Sequence, residues 1–188
     1  MKISGISTHV TLLEKRSRAF LKISTDEGIH GWGEAYSTGP DKSVEPIADY
    51  LFQLVEGQNP LRIEFLMMKI HQQFRFPPGG VGLAAISAFD QALWDIAGRY
   101  FDVPIYQLLG GKVRDKARVY YHVFGNTRDK LVEGIKDARK QGFTAVGHLT
   151  PFLDESHDIP FFKTHVDKMT DAINAVEMYR DAAGNDVD

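Results

Sequence analysis

Apolar and polar positions alternate with period 2 at the start of the chain and then shift to helical spacing. Ile3, Ile6, Val10 and Leu12 mark a first strand, and Ala19 to Ser24 (AFLKIS) alternates as a half-buried second strand does. Glu14 to Arg18 (EKRSR) between them reads as a charged hairpin tip. Asp26-Glu27-Gly28 is turn chemistry, because glycine adopts the positive φ of a tight hairpin without steric cost. Ile29 to Ala35 (IHGWGEA) is a third strand whose two glycines permit close approach of a neighbour, and Tyr36 to Lys42 is a loop. Ser43 is placed to cap a helix running to about Glu56, with Val44, Ile47, Leu51 and Leu54 as its stripe. Arg62 to Phe74 predicts a second helix with Ile63, Leu66, Met67 and Ile70 on one face, and Pro77-Pro78-Gly79-Gly80 is a firm break. Leu83 to Tyr100 is a long helix whose apolar positions cover much of its circumference, which predicts that it is largely buried.

After Pro104 the pattern changes to alternating strands and helices. Ala117 to Val123 (ARVYYHV) and Phe143 to Leu149 (FTAVGHL) read as short strands. Arg128 to Gln141 is an amphipathic helix with Leu131, Ile135 and Ala138 inward, ended by Gly142 in the C′ position. Thr150 to Thr164 is an irregular loop. Val166 to Ala183 is a second amphipathic helix, with Met169, Ile173, Val176 and Tyr179 on one face, and Asp186 begins a further strand. Such a run of βα units implies parallel strands and right-handed crossovers. A parallel sheet needs cover on both faces and a barrel needs closure, so the chain reads as interrupted.

Composition adds mainly exclusions. With 43% hydrophobic and 25% charged residues the chain has the make-up of a soluble globular protein. A net charge of −3 with interspersed signs gives no reason to expect a nucleic-acid or membrane partner. The absence of cysteine excludes disulfides, thiolate metal ligands and a Cys nucleophile, and fits a reducing cytoplasm. The start, MKISGISTHVTLLEK, lacks the signal-peptide pattern, and no apolar run approaches the ~20 residues of a membrane span. A cytoplasmic location is expected.

Three segments carry a resemblance. Gly28-Ile29-His30-Gly31-Trp32-Gly33-Glu34-Ala35 resembles the DEG-x-x-GWGEA strand of the mandelate racemase and muconate lactonizing group of the enolase superfamily. Ala88 to Gly98 (AFDQALWDIAG) resembles that group's A-x-D-x-ALWD-x-x-G helix, and Pro104 to Gly111 (PIYQLLGG) its linker. The resemblance implies an α+β capping domain over residues 1–112, built of a three-stranded antiparallel meander and helices. The first two βα units of a TIM-type barrel would follow over 113–188, stopping before the third strand. Trp32, Trp94 and the Leu108-Leu109-Gly110-Gly111 turn are read as packing and turn residues. Glu34 and Asp95 are read as groups that hydrogen-bond locally and hold the capping domain to the barrel.

The resemblance also implies a chemistry. Enzymes of this kind remove the proton α to a carboxylate and stabilise the ene-diolate on a divalent metal, here expected to be Mg²⁺. The metal carboxylates are expected beyond residue 188, and none is assigned in this stretch; Asp186 and Asp188 are read as helix-exit and strand-start polarity. His122 and His148 fall at the carboxyl ends of barrel strands, where such barrels build their sites. The mannonate-dehydratase-like branch has a substrate-contacting histidine matching His122. The racemase and cycloisomerase branches carry a Lys-x-Lys base motif where this chain has Gly147-His148-Leu149, a departure that favours acid-sugar dehydratases, as does the long 150–164 loop. His148 is thus the candidate acid or base, since an imidazole titrates near neutrality. Tyr36, Arg16 and Arg18 are candidate substrate contacts, an arginine being suited to gripping a carboxylate. His71, His157 and His165 show no ligand spacing. The expectation is a Mg²⁺-dependent dehydratase of a small sugar acid, acting as a homo-oligomer. The alternatives are a racemase or cycloisomerase of the same superfamily, or a non-catalytic, regulatory relative.

Overall fold

The period-2 alternation at the start of the chain becomes a three-stranded antiparallel sheet in the order β1-β2-β3, formed by β1 (Ile3–Leu13), β2 (Arg16–Thr25) and β3 (His30–Ala35). The computed structural model describes residues 1–13, 16–36, 39–152, 158 and 163–188. They divide into two compact units, Met1–Val113 and Arg114–Asp188. Among the described residues no helix is long and apolar enough to cross a membrane.

In the first unit the central strand β2 turns Ala19, Leu21 and Ile23 into the core, the every-second-residue set that a pleated strand places on one face. Gly28, at φ 83°, closes the β2–β3 turn by donating its N–H to the Thr25 carbonyl. Helices α1 (Val44–Val55), α2 (Ile63–His71) and α3 (Gly79–Phe101) build the rest of this core with Val44, Leu51, Leu66, Ile70, Phe89 and Leu93. α3 lies against β3 at unusually short range. A Cβ on Gly31 would sit 2.0 Å from the Ala92 carbonyl oxygen, and one on Gly33 1.9 Å from that of Ala88. The two glycines are therefore required by the backbone of the helix, not by a turn.

Two boundaries differ from expectation. Ser43 ends a short 3₁₀ turn at φ −74°, ψ −10° and its side chain makes no cap bond. A residue already in helical geometry does not hold its hydroxyl where a capping residue does. α3 starts at Gly79 instead of near Leu83, because Pro78 at its N-cap leads directly into the first turn, where a missing N–H costs nothing. After Pro104 a single turn, α4 (Ile105–Leu108), completes the unit.

The second unit is built of β4 (Tyr121–His122), α5 (Arg128–Lys140), β5 (Val146–Gly147) and α6 (His165–Ala183). β4 and β5 pair in parallel, as βα units require. Both are shorter than the segments 117–123 and 143–149 that the alternation suggests. Beyond β5, Asp188 donates its N–H to Thr144 O and accepts from Val146 N, so the last residues lie alongside β5 on the side away from β4. Thr127 and Thr164 cap α5 and α6 through the N–H groups of Lys130 and Asp167. Leu131, Ile135, Ala138, Ala175, Tyr179, Ala182 and Val187 are buried. On α6, Tyr179 is inward as expected, but Met169, Ile173 and Val176 are exposed. The buried line instead runs through Ala175, Tyr179 and Ala182, in one cluster with Leu131 and Ile135 of α5.

Candidate functional site

Two clusters carry the candidate residues, one in each unit. In the first, Arg18, Glu34, Tyr36, Ser87 and Gln91, with Leu13 and Phe20, line a cavity of about 610 Å³. The antiparallel register brings the outer end of β2 beside the end of β3, and Arg18 meets Glu34 at 3.5 Å. Both side chains are partly solvated, so this pair is a weak one. Tyr36 follows β3 and is 71% exposed. Arg16 pairs with Leu13 at the hairpin end, is exposed and does not line the cavity. Glu14, Lys15, Ser37 and Thr38 lie outside the described residues. Of the expected contacts in this unit, Arg18 and Tyr36 therefore come together and Arg16 stays apart.

Gln91 and Asp95 stand one helical turn apart on α3, and Trp32 and Glu34 stand two residues apart on β3. The two spacings match, about 6 Å along the helix and about 6.6 Å along the strand. Asp95 accepts from Trp32 N at 2.9 Å and is braced by Arg99 Nε at 3.1 Å. Gln91 accepts from Glu34 N at 2.9 Å and donates to Glu34 O at 3.1 Å. The carboxylate of Asp95 is thus engaged locally, while that of Glu34 meets Arg18. Asp90, beside them, has its carboxyl pushed above the usual range by burial and by Glu64, against the hydrogen bond from Trp94.

In the second unit His122 ends β4 and His148 follows β5, and their ring centroids are 4.1 Å apart. The alternation along a strand would turn His148 to the face opposite His122, because His122 pairs with Gly147. His148 instead adopts φ 64°, a left-handed backbone that histidine tolerates better than most residues. That turn breaks the alternation and brings its ring back to His122. Phe124 flanks both imidazoles, at 5.8 Å from His122 and 5.6 Å from His148, and Tyr120 lies 4.7 Å from His122. Neither aromatic stood among the candidates, although residues 120, 122 and 124 share one face by strand period. Asp186 and Asp188 are paired with Arg139 at 2.8 Å and Arg118 at 2.7 Å. The 150–164 loop lies mostly outside the described residues, His157 included.

A helix-covered antiparallel sheet followed by parallel βα units is the organisation of an enolase-superfamily chain. Residues 2–110 match the N-terminal domain of the mandelate racemase / muconate lactonizing enzyme family, and the chain belongs to that family. It is 37% identical over 173 residues to D-galactonate dehydratase of Klebsiella pneumoniae, covering 90% of this chain and 43% of that protein. The D-galactonate dehydratase of Pectobacterium atrosepticum is 42% identical over 143 residues, 76% of this chain and 37% of its own length. A crystal structure of an enolase from Agrobacterium radiobacter, provisionally a galactarate dehydratase, with sodium and L-malate bound, superposes with a TM-score of 0.84 at 35% identity. The match covers the whole of this chain and 47% of that one. The chain thus spans less than half the length of these relatives.

Proposed function

We propose that the chain forms part of a Mg²⁺-dependent dehydratase of an aldonic acid, of the kind that acts on D-galactonate. The observation that supports this most is the His122–His148 pair at the carboxyl ends of adjacent parallel strands, in a chain similar to D-galactonate dehydratases. In such a reaction the α-proton passes to a base and the β-hydroxyl leaves with a proton as water. The resulting enol tautomerises to a 2-keto-3-deoxy acid. His148 is assigned the proton-transfer role, because an imidazole both donates and accepts near neutrality. His122 is assigned a hydrogen bond to the substrate. Arg18, Tyr36 and Arg16 are assigned contacts to its polar groups, with Arg18 released from Glu34 to make them.

Mg²⁺ would spread the charge that develops on the substrate carboxylate. The described residues do not fit a Mg²⁺ site: none forms a group of three or more His, Asp or Glu able to hold a metal ion. Asp186 and Asp188 are engaged by arginines. We place the metal ligands on later barrel strands, as the family resemblance implies. Assembly as a homo-oligomer belongs to the same proposal.

The test is a screen of aldonic acids with Mg²⁺ on the full-length protein, with 2-keto acid as the readout. His148→Asn is expected to lower kcat by about 10²-fold or more, and His122→Asn to act mainly on KM. Turnover by racemisation or cycloisomerisation would overturn the dehydratase reading, and an unchanged kcat in His148→Asn would overturn the role of His148.

A further inference from the structure

The paired imidazoles rest on a support that no functional role has yet explained. Gly147, opposite His122 in the parallel register, faces the same side of the sheet as His122 does. A Cβ at Gly147 would fall 2.3 Å from Cε2 and 2.5 Å from Cδ2 of Tyr120. The ring edge of Tyr120 therefore lies in the space that any side chain at 147 would fill. Gly147 itself is not at a positive φ, so the backbone alone does not demand glycine there. From that slot the Tyr120 ring meets the His122 ring at 4.7 Å and an interplanar angle of 34°. The nearest ring to His122 is that of His148, at 4.1 Å.

We infer that Tyr120 is a positioning residue: seated over the bare backbone of Gly147, its ring holds the His122 imidazole against His148. Without it His122 has an open slot beside it on the strand face and several rotamers in place of one. The left-handed turn at His148 brings one ring to the meeting point, and the Tyr120–Gly147 contact keeps the other there. Tyr120 touches no reacting atom in this scheme, and its hydroxyl is not needed. Because the residue is 51% exposed, truncating it removes little of the core. The inference rests on the dehydratase reading only for its consequence in turnover; the placement of the rings is a separate matter.

The experiment uses the full-length protein with selectively labelled histidines and has two arms. In the first, the nuclear Overhauser effect between ring protons of His122 and His148 is measured in Tyr120→Phe, Tyr120→Ala and Gly147→Ala. It is expected to persist in Tyr120→Phe, to vanish in Tyr120→Ala and to weaken in Gly147→Ala, where the new methyl displaces the tyrosine ring. In the second, kcat and KM on D-galactonate with Mg²⁺ are compared. Tyr120→Ala is expected to lose about 10-fold or more in kcat with a smaller change in KM, and Tyr120→Phe to stay within about twofold of the parent. An undiminished ring-to-ring effect in both Tyr120→Ala and Gly147→Ala overturns the inference. If the effect vanishes in Tyr120→Ala but the full-length parent forms no 2-keto acid from D-galactonate, the positioning holds and the dehydratase reading falls. Should Tyr120→Ala not fold, Gly147→Ala decides the first arm.

Discussion

The two units solve the problem of burying an amphipathic surface to different degrees. In the first, one face of a three-stranded sheet is covered by three helices, and Leu21, Ile23, Leu51, Phe89 and Leu93 are all 0% exposed. In the second, two short strands and two helices bury a smaller set, while α6 holds Val166, Met169, Ile173 and Val176 at 72%, 65%, 55% and 54% exposure. These four follow a 3-4-3 spacing, so they form one stripe along the helix. The contrast shows that helical periodicity identifies an apolar face without saying which neighbour covers it. In α3 the partner is the adjacent strand; in α6 the inward positions are Ala175, Tyr179, Ala182 and Ala183.

The contrast can be broken most sharply at Gly33. Gly33→Ala in the Met1–Asp188 chain forces a methyl into the Ala88 carbonyl, which is backbone and cannot rotate away. A loss of about 3 kcal/mol or more is expected in chemical denaturation, since α3 must leave the sheet. A loss under about 1 kcal/mol would show that the close approach is not what holds the first unit together. A smaller effect is expected at the exposed stripe. Ile173→Glu together with Met169→Lys should shift stability by only about 0.5 kcal/mol, yet lower self-association of the same chain in light scattering. Unchanged scattering would mean that the stripe drives no association.

The smallest effect expected is a pH dependence in the first unit. Because the Asp90 carboxyl is held above its ordinary range by burial and Glu64, folding favours its protonated form. Its contribution is therefore present in acid and is lost as pH rises through the raised value. Asp90→Asn should be indistinguishable from the parent at low pH and melt slightly higher at neutral pH. A difference that shrinks towards neutrality would reverse the assignment.

Much of the first unit was legible in the sequence because its signals are local. Alternation at Ala19, Leu21 and Ile23, turn chemistry at Gly28 and the glycines of β3 each act within a few residues. The start of α3 was less legible, since Pro78 and Gly79 read equally as a break and as a first turn. In the second unit Thr127 and Thr164 cap their helices, and Leu131 and Ile135 turn inward, but the strands pair over fewer residues than alternation suggests. The His122–His148 contact was not legible at all. Strand-end position selected both residues, whereas their meeting depends on the left-handed turn at His148, which leaves no mark in the order of residues. Tyr120 was missed for a related reason: its role is visible only across the sheet, against Gly147.

The paired bonds between Gln91 and Glu34 have a consequence for the rim of the first sheet. A primary amide offers one donor and one acceptor in the same plane, as a peptide group does, and Gln91 presents both to the backbone of Glu34. With Asp95 filling the next position at Trp32, β3 meets a counterfeit fourth strand made of side chains. Another chain arriving at this rim would find Trp32 N and both backbone groups of Glu34 already engaged, which opposes self-templated growth of the sheet there. Two polar residues, one turn apart on a helix, thus do for β3 what a neighbouring strand would otherwise have to do.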